Sequence, residues 1–208
     1  MTASGAPRAA AAARSSKRRV EIMRAAASSF RRQGYHGTSV EEIAQALRMT
    51  KGNLYYYFED KEEILYFCHD YSLDLLLDLL KRVRRQERSP QERLRSLIEA
   101  FVHMILDELH GTALTLDFGA LSPPLLARVI RKRDRFDRGV REILQEGMAK
   151  GAFAQGDPKL LSFAILGAVN WITQWFDPSG PATSAEIGRV FSEYLLRGLR
   201  AEAPTGGP

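Results

Sequence analysis

Scarcity narrows the class of this 208-residue chain. Its single cysteine, Cys68, cannot form an internal disulfide, so a reducing cytoplasm is the expected home. No stretch approaches the roughly 20 apolar residues of a membrane span, and no membrane partner is expected. The N-terminus is rich in Ala and Arg but lacks the continuous apolar run of a secretory signal. Strand-like alternation is almost absent, as is any fixed-period repeat. There is no G-x-S-x-G, no phosphate-binding loop and no H-E-x-x-H, so no catalytic residues are assigned. Four histidines are scattered; His103 and His110 share a helix face but lack a third ligand at metal spacing, so neither a metal nor a cofactor is expected.

What is present reads as helix after helix. Residues 1–16, low in complexity and without large apolar side chains, read as a disordered basic arm, and 201–208 as a disordered tail. A first helix runs from about Lys17 to Gln33, with Met23, Ala26, Ala27 and Phe30 on one stripe and Gly34 as its stop. Ser39 and Glu42 form a capping-box pair ahead of Val40, Ile43, Ala44 and Leu47. Thr50 caps a short third helix to about Phe58, and Asp60 with Glu63 opens a long fourth one to about Gln86. Ser89-Pro90, Ser122-Pro123 and Asp157-Pro158 start three more, over about 89–111, 122–151 and 157–176. A short helix near 112–119 and a last one over about 184–199 bring the count to about nine, all α.

Charge is uneven along the chain. Residues 1–58 hold ten Lys and Arg against three Asp and Glu; the other 150 hold twenty against twenty-two. A basic first quarter on a near-neutral body points to a polyanion, although a solubilising surface has the same composition.

The segment TKGNLYYYFEDKEEI, residues 50–64, is the most informative. On a helical wheel Leu54 and Phe58 fall together as buried anchors. Gly52, Asn53 and Tyr56 face the opposite way, with Tyr55 and Tyr57 on the flanks. Exposed aromatics on a stub too short to stand alone need a partner. A major groove suits them: Gly52 permits close approach, Asn53 can bond adenine with two hydrogen bonds, and Lys51 can reach a guanine edge or a phosphate. Thr50 adds a hydroxyl at a helix N-terminus that favours phosphate. With the preceding helix and the turn through Arg48 and Met49, this makes a helix-turn-helix. The bland alternative packs the tyrosines on a neighbouring helix.

The stretch GYHGTSVEEIAQALRMTKGNLYYYFEDKEEIL resembles the DNA-binding signature of TetR-family transcriptional regulators. The Gly-Tyr turn, the Thr-Ser helix start, the Ile-Ala pair, Lys-Gly-x-Leu-Tyr-x-x-Phe and the downstream Lys match in order and spacing over about 45 residues. One departure is Tyr57, where the family most often has His. The resemblance implies Thr50, Lys51, Gly52, Asn53, Tyr55, Tyr56, Tyr57 and Lys61 as the DNA-facing set. It also implies a helix-turn-helix domain over 17–58 and a ligand-binding and dimerisation domain over 59–200. The last two helices would form a four-helix dimer interface, and the helices before them would enclose a ligand pocket.

The body agrees in outline. The helix over 157–176 is apolar nearly all round, so it must be buried on two sides: one in its own core, the other against a second subunit or, in a monomer, within a thicker core. Gly167 and Ala168 would allow close approach there, beside Trp175 and beside Ile187, Val190, Phe191, Tyr194 and Leu195 of the last helix. A two-fold dimer suits a palindromic double-stranded DNA operator. Phe67, Tyr71, Phe101, Met104, Ile105, Leu116, Phe118 and Trp171 are pocket candidates, each as readily plain core. His69, His103, Asn170, Thr173 and Gln174 could orient a ligand. Arg128, Arg131, Lys132, Arg133, Arg135, Arg138 and Arg141 form a cationic stretch: a solvated face, or an anion site at a pocket mouth. The run from Glu146 to Pro181 is similar to TetR-type regulators of fatty-acid and acyl-CoA catabolism. The resulting expectation is a homodimeric repressor released by a small apolar or amphipathic effector such as a long-chain acyl-CoA. The alternatives are an activator or architectural DNA-binding protein without small-molecule control, and a small enzyme that does not use DNA.

Overall fold

The computed structural model describes residues 6–109 and 117–201, with side chains from residue 13 onward. Its helices are α1 (Ala6–Gly37), α2 (Val40–Ala46), α3 (Lys51–Tyr55), α4 (Lys61–Arg84), α5 (Pro90–His103), α6 (Pro123–Ala149), α7 (Pro158–Trp175) and α8 (Ser184–Gly198). There is no strand among the described residues. A π-helical turn, Met104–Glu108, prolongs α5, and a 3-10 turn covers Phe118–Ala120. The helix expected near 112–119 lies mostly outside the described residues, as does the tail after Ala201.

Two expectations change. The arm expected to be disordered is helical from Ala6. Low complexity hid its propensity: five consecutive alanines, Ala9 to Ala13, are the best helix formers available, and they run into an amphipathic segment already helical. The chain also divides into compact units at other points than 58/59. The first holds residues 6–71 and 117–127; the second holds 72–109 and 128–201. The start of α4 thus belongs with the helix-turn-helix.

In the first unit Ile22, Met23, Ala26, Ala27 and Phe30 of α1 are buried with Ile43 and Ala44 of α2 and with Ile64, Leu65 and Cys68 of α4. Gly34, at φ 75°, breaks α1 as expected, because only glycine takes that conformation without strain. Arg19 of α1 lies over the Phe58 ring at 4.5 Å and the Phe67 ring at 4.7 Å, and its Nη2 sits 2.8 Å from Glu63 Oε1. One side chain therefore ties α1 to the segment after α3 and to the first turn of α4.

The second unit is held by close helix approaches. At Gly188 of α8 a Cβ would stand 3.3 Å from Glu99 Cα of α5, so even a methyl group would crowd the crossing. Ser192, one turn on, donates to Glu99 Oε1 at 2.8 Å. At Gly147 a Cβ would meet the buried Phe153 ring at 2.0 Å, so this glycine makes room for the ring that closes the α6–α7 turn. The buried Arg93 guanidinium reaches Glu146 Oε1 at 2.5 Å, joining α5 to α6. That hydrogen bond, with another from Lys150, holds the Glu146 carboxyl at about 2, well below the usual range.

Candidate nucleic-acid interface

The α2–turn–α3 segment is built from its caps. Ser39 accepts from Glu42 N at 3.1 Å while Glu42 Oε2 accepts from Ser39 N at 2.8 Å, so two otherwise unpaired donors are satisfied. After α2 the chain turns through Arg48, at φ 52°, and Thr50 caps α3 by accepting from Asn53 N at 3.2 Å. Leu54 is fully buried and Phe58 nearly so; these two anchors fix which way the stub faces.

That orientation turns the other side outward. Thr50, Lys51, Gly52 and Asn53 are exposed, Tyr55 is 42% exposed and Tyr56 80%. Tyr57 is half-buried and braces Tyr56 edge-on, ring centroids 5.1 Å apart. Space beside Gly52 is open, with only Thr50 Oγ1 at 4.0 Å from a notional Cβ. The face thus offers amide, hydroxyl, phenol and ammonium groups around a gap where backbone can meet a base edge.

Lys51 is not idle in the free protein. Its Nζ is paired with Glu41 of α2, and it lies 5.8 Å from the Tyr55 ring. This hydrogen bond raises the Lys51 pKa and lowers that of Glu41. Glu41 thus occupies the Lys51 ammonium in the free protein. Nothing in the sequence marks it, because it lies ten residues from its partner and on the preceding helix.

Lys61, expected to face DNA, is committed elsewhere. Its Nζ donates to Tyr35 O and Thr38 O, both at 2.9 Å, and sits 4.4 Å from the Tyr35 ring. It closes the backbone between α1 and α2, so its first role is to position α2.

A second exposed surface is the outer side of α7 and α8. Leu160, Phe163, Trp171 and Trp175 of α7 are 64%, 51%, 66% and 49% exposed, and Val190 and Tyr194 of α8 are 47% and 77%. Ala164 and Gly167 lie exposed within this stripe, and nothing comes within 4 Å of a Cβ built on Gly167. Ala168, Phe191 and Leu195 are half-buried at its edges, and Trp175 stacks on Phe191 at 6.2 Å. Ile187, expected in this face, is instead 6% exposed within its own chain.

The pocket candidates do not form one group. In the first unit Phe67 stacks on Tyr71 at 5.8 Å, and Phe118 stacks on buried His69 at 4.4 Å. In the second, Phe101, Met104 and Ile105 are buried core, and Phe101 meets Phe136 edge-on at 5.6 Å. Leu116 lies outside the described residues. Trp171 belongs to the exposed stripe rather than to a pocket wall; Gln174 is exposed too, and His103 points outward beside Asp107. Asn170 is half-buried, and its Oδ1 has no hydrogen-bond partner among the described residues. Of the expected cations, Arg131 is exposed and Lys132 pairs with Asp74 at 2.7 Å. Arg135 lines a cleft of about 200 Å³ with Lys81, Arg84 and Arg138.

An all-helical chain with a capped helix-turn-helix and an outward, hydrogen-bonding recognition helix is by class a DNA-binding regulator. Residues 22–66 match the model of bacterial regulatory proteins of the tetR family, and residues 87–199 match the tetracyclin repressor-like C-terminal domain. The chain therefore belongs to the TetR family of transcriptional regulators, which are not enzymes. It is 27% identical over 186 residues to the HTH-type transcriptional repressor KstR2 of Mycolicibacterium smegmatis, covering 88% of this chain and 90% of that one. The crystal structure of PfmR, a TetR family transcriptional regulator from Thermus thermophilus, superimposes with a TM-score of 0.78 at 34% identity, covering 86% and 99% of the two chains. AibR in complex with isovaleryl coenzyme A and operator DNA gives 0.70 at 29% identity, covering 86% and 98%. No helix among the described residues is long and apolar enough to cross a membrane.

Proposed function

We propose that this protein is a homodimeric, cytoplasmic transcriptional repressor that binds a palindromic operator and is released by an amphipathic ligand. The outward face of α3 carries this reading: Thr50, Lys51, Asn53 and Tyr56 stand exposed around the gap at Gly52, on a helix anchored from behind by Leu54 and Phe58. Groups of this kind read base edges and grip phosphates. A stub this short contacts few base pairs, and a two-fold partner doubles the site. The apolar stripe on α7 and α8 supports self-association, because a contiguous exposed patch of large apolar side chains marks an interaction surface. Repression follows the curated relative KstR2.

The test of DNA reading is selection of duplexes from a random library by the full chain, with Asn53→Ala in parallel. The expected product is a palindrome with half-sites about one helical turn apart, bound by a dimer. Selection of no sequence, or equal selection by Asn53→Ala, refutes it.

For the effector we favour a long-chain acyl-CoA. Leu77 and Leu80 line a cleft with the cations Lys81, Arg84, Arg135 and Arg138, and AibR was crystallised with isovaleryl coenzyme A and operator DNA together. Each buried CH₂ adds up to about 0.8 kcal/mol, so affinity should climb with chain length until the pocket is full. Moving the DNA-competent state from nearly full to nearly empty takes about 5.5 kcal/mol of differential binding. The measurement is release of the selected duplex by acyl-CoAs of increasing length. If every length and free CoA leave the complex intact, the effector is of another class.

A further inference from the structure

We infer that the cleft between α4 and α6 is an anion site for a phosphate group of an organic ligand, gripped by Arg135 and Arg138 with Lys81 and Arg84 opposite. This rests on the effector reading above and names the part of such a ligand that the chain holds, and the side chains that hold it.

The two helices are laced along one seam, and the lacing has a gap. Asp74 of α4 pairs with Lys132 of α6 at 2.7 Å, and ten residues on along both helices Arg84 pairs with Glu142 at 2.5 Å. The equal spacing means that the helices run in the same direction here, with about 15 Å of seam between the two pairs. In that interval α6 presents Arg135 and Arg138, and α4 presents Leu77, Leu80 and Lys81. The acid on this stretch of α4, Asp78, is taken by Lys81 at 2.7 Å. On α6, Asp137 is committed to Arg141 and Ser162, and Asp134 does not line the cleft. Arg135 and Arg138 are exposed, and neither has a hydrogen bond or ion pair among the described residues.

Lys81 and Arg84 stand in the last turn of α4, where cations offset the helix dipole, so they need no ligand to explain them. Arg135 and Arg138 lie in the middle of α6, about one turn apart, where no such field favours them and like charges repel. Of the four cations at the cleft, Asp78 and Glu142 balance two, which leaves two positive charges. A phosphomonoester, or the diphosphate bridge of a nucleotide coenzyme, carries about two negative charges at neutral pH. Forked guanidinium groups match its oxygens with paired hydrogen bonds. A carboxylate would leave one of the two cations unbalanced. The floor sets what is attached to the phosphate. Gly139 lets α6 close on Leu80, whose Cδ2 would stand 2.2 Å from a Cβ there, and buried Leu77 lines the same cleft. Carbon next to the phosphate thus meets an apolar surface. At about 200 Å³ the cleft is smaller than the roughly 300–1,000 Å³ that encloses a whole drug-sized ligand, so it takes the charged end and not the length of a chain. A cleft of this size also admits a single phosphate group rather than the convex backbone of a duplex.

The experiment is calorimetric titration of the full chain, without DNA, with coenzyme A, dephospho-coenzyme A, inorganic pyrophosphate and pantetheine. Coenzyme A and pyrophosphate should bind, more weakly as salt rises, and pantetheine, which has no phosphate, should not. Dephospho-coenzyme A, which lacks the phosphomonoester, decides the source of the charge. Affinity equal to that of coenzyme A assigns the diphosphate and a loss of affinity assigns the phosphomonoester; either keeps the site. The double variant Arg135→Ala/Arg138→Ala should bind coenzyme A at least about tenfold more weakly, with unchanged helicity. Arg131→Ala, which removes an exposed cation of the same helix outside the cleft, should bind as the wild type does. Absence of binding by both coenzyme A and pyrophosphate overturns the proposal, as does wild-type affinity in the double variant or an equal loss in Arg131→Ala. So does a short random duplex that the double variant ceases to bind while it keeps coenzyme A, which would turn the seam toward nucleic acid. The effector reading fails separately. Coenzyme A bound here, with the operator duplex released by no acyl-CoA, removes that reading and leaves the site. Release of the duplex from the double variant at wild-type concentrations of acyl-CoA does the reverse.

Discussion

Two surfaces of this molecule expose aromatic rings, and they do so for opposite reasons. On α3 the rings of Tyr55 and Tyr56 stand among Thr50, Lys51 and Asn53, around a glycine gap. On α7 and α8 the rings of Phe163, Trp171, Trp175 and Tyr194 stand among Leu160, Ala164 and Val190. Exposure alone does not distinguish the two. Their neighbours do: donors and a cation call for a polar, anionic partner, whereas alkyl groups call for another apolar face. Gly52 and Gly167 make the same point, since each opens space, one beside hydrogen-bonding groups and one inside an apolar stripe.

The largest effect is expected at Gly167→Arg. Nothing lies near a Cβ there, and arginine is the better helix former, so the subunit should keep its helical signal. In a dimer that buries the stripe, the new charge would have no partner. The dimer dissociation constant should rise by at least about two orders of magnitude, with palindrome binding lost in parallel. A variant still dimeric in sedimentation would break the assignment of this surface.

Ile187→Ala sharpens its border. Because Ile187 is buried within its own chain, the substitution should cost about 2–5 kcal/mol of folding stability in a denaturant titration. The dimer constant, measured below the unfolding transition, should hardly move.

On the polar surface, Asn53→Ala should weaken specific binding by about 1–3 kcal/mol and relax preference at one base pair per half-site. Lys51→Ala should instead lower the salt slope by about one unit if its contact is a phosphate. Equal losses on specific and random duplexes for Asn53→Ala would remove it from base reading.

The smallest expected effect is a gain. Glu41→Gln removes the carboxylate that occupies Lys51 in the free protein. DNA binding should tighten by a small factor at low salt, and the difference should fade as salt screens the exposed pair. Weaker binding in Glu41→Gln would show that Glu41 orients Lys51 rather than competing for it.

The sequence was most legible where local rules suffice. Ser39 and Glu42 declare the start of α2, Thr50 that of α3, and the spacing of Leu54 and Phe58 settles which face of α3 turns outward. It was less legible where long side chains choose among distant partners. Lys61 can reach a phosphate or its own backbone, and the carbonyls of Tyr35 and Thr38 become neighbours only in the folded chain. Trp171 is a different case. The spacing 160, 163–164, 167, 171, 174–175 is a plain helical stripe, but a tryptophan among apolar residues reads as readily as pocket wall. The helical arm was missed because scarcity of large apolar residues was weighed above the propensity of alanine.

A recognition helix of five residues has a kinetic consequence. Alone, a stub this short would spend most of its time unfolded. Here it is held by Leu54, by Phe58 beneath Arg19, and by the caps at Ser39 and Thr50. The hydrogen-bonded amides of Leu54, Tyr56 and Phe58 should therefore exchange with solvent chiefly when α1, α2 and the start of α4 open together. The same construction means that no segment of α3 has to be ordered when DNA arrives. Association can then run as fast as orientation and charge allow, and differences between one DNA site and another should appear chiefly in how slowly the complex lets go.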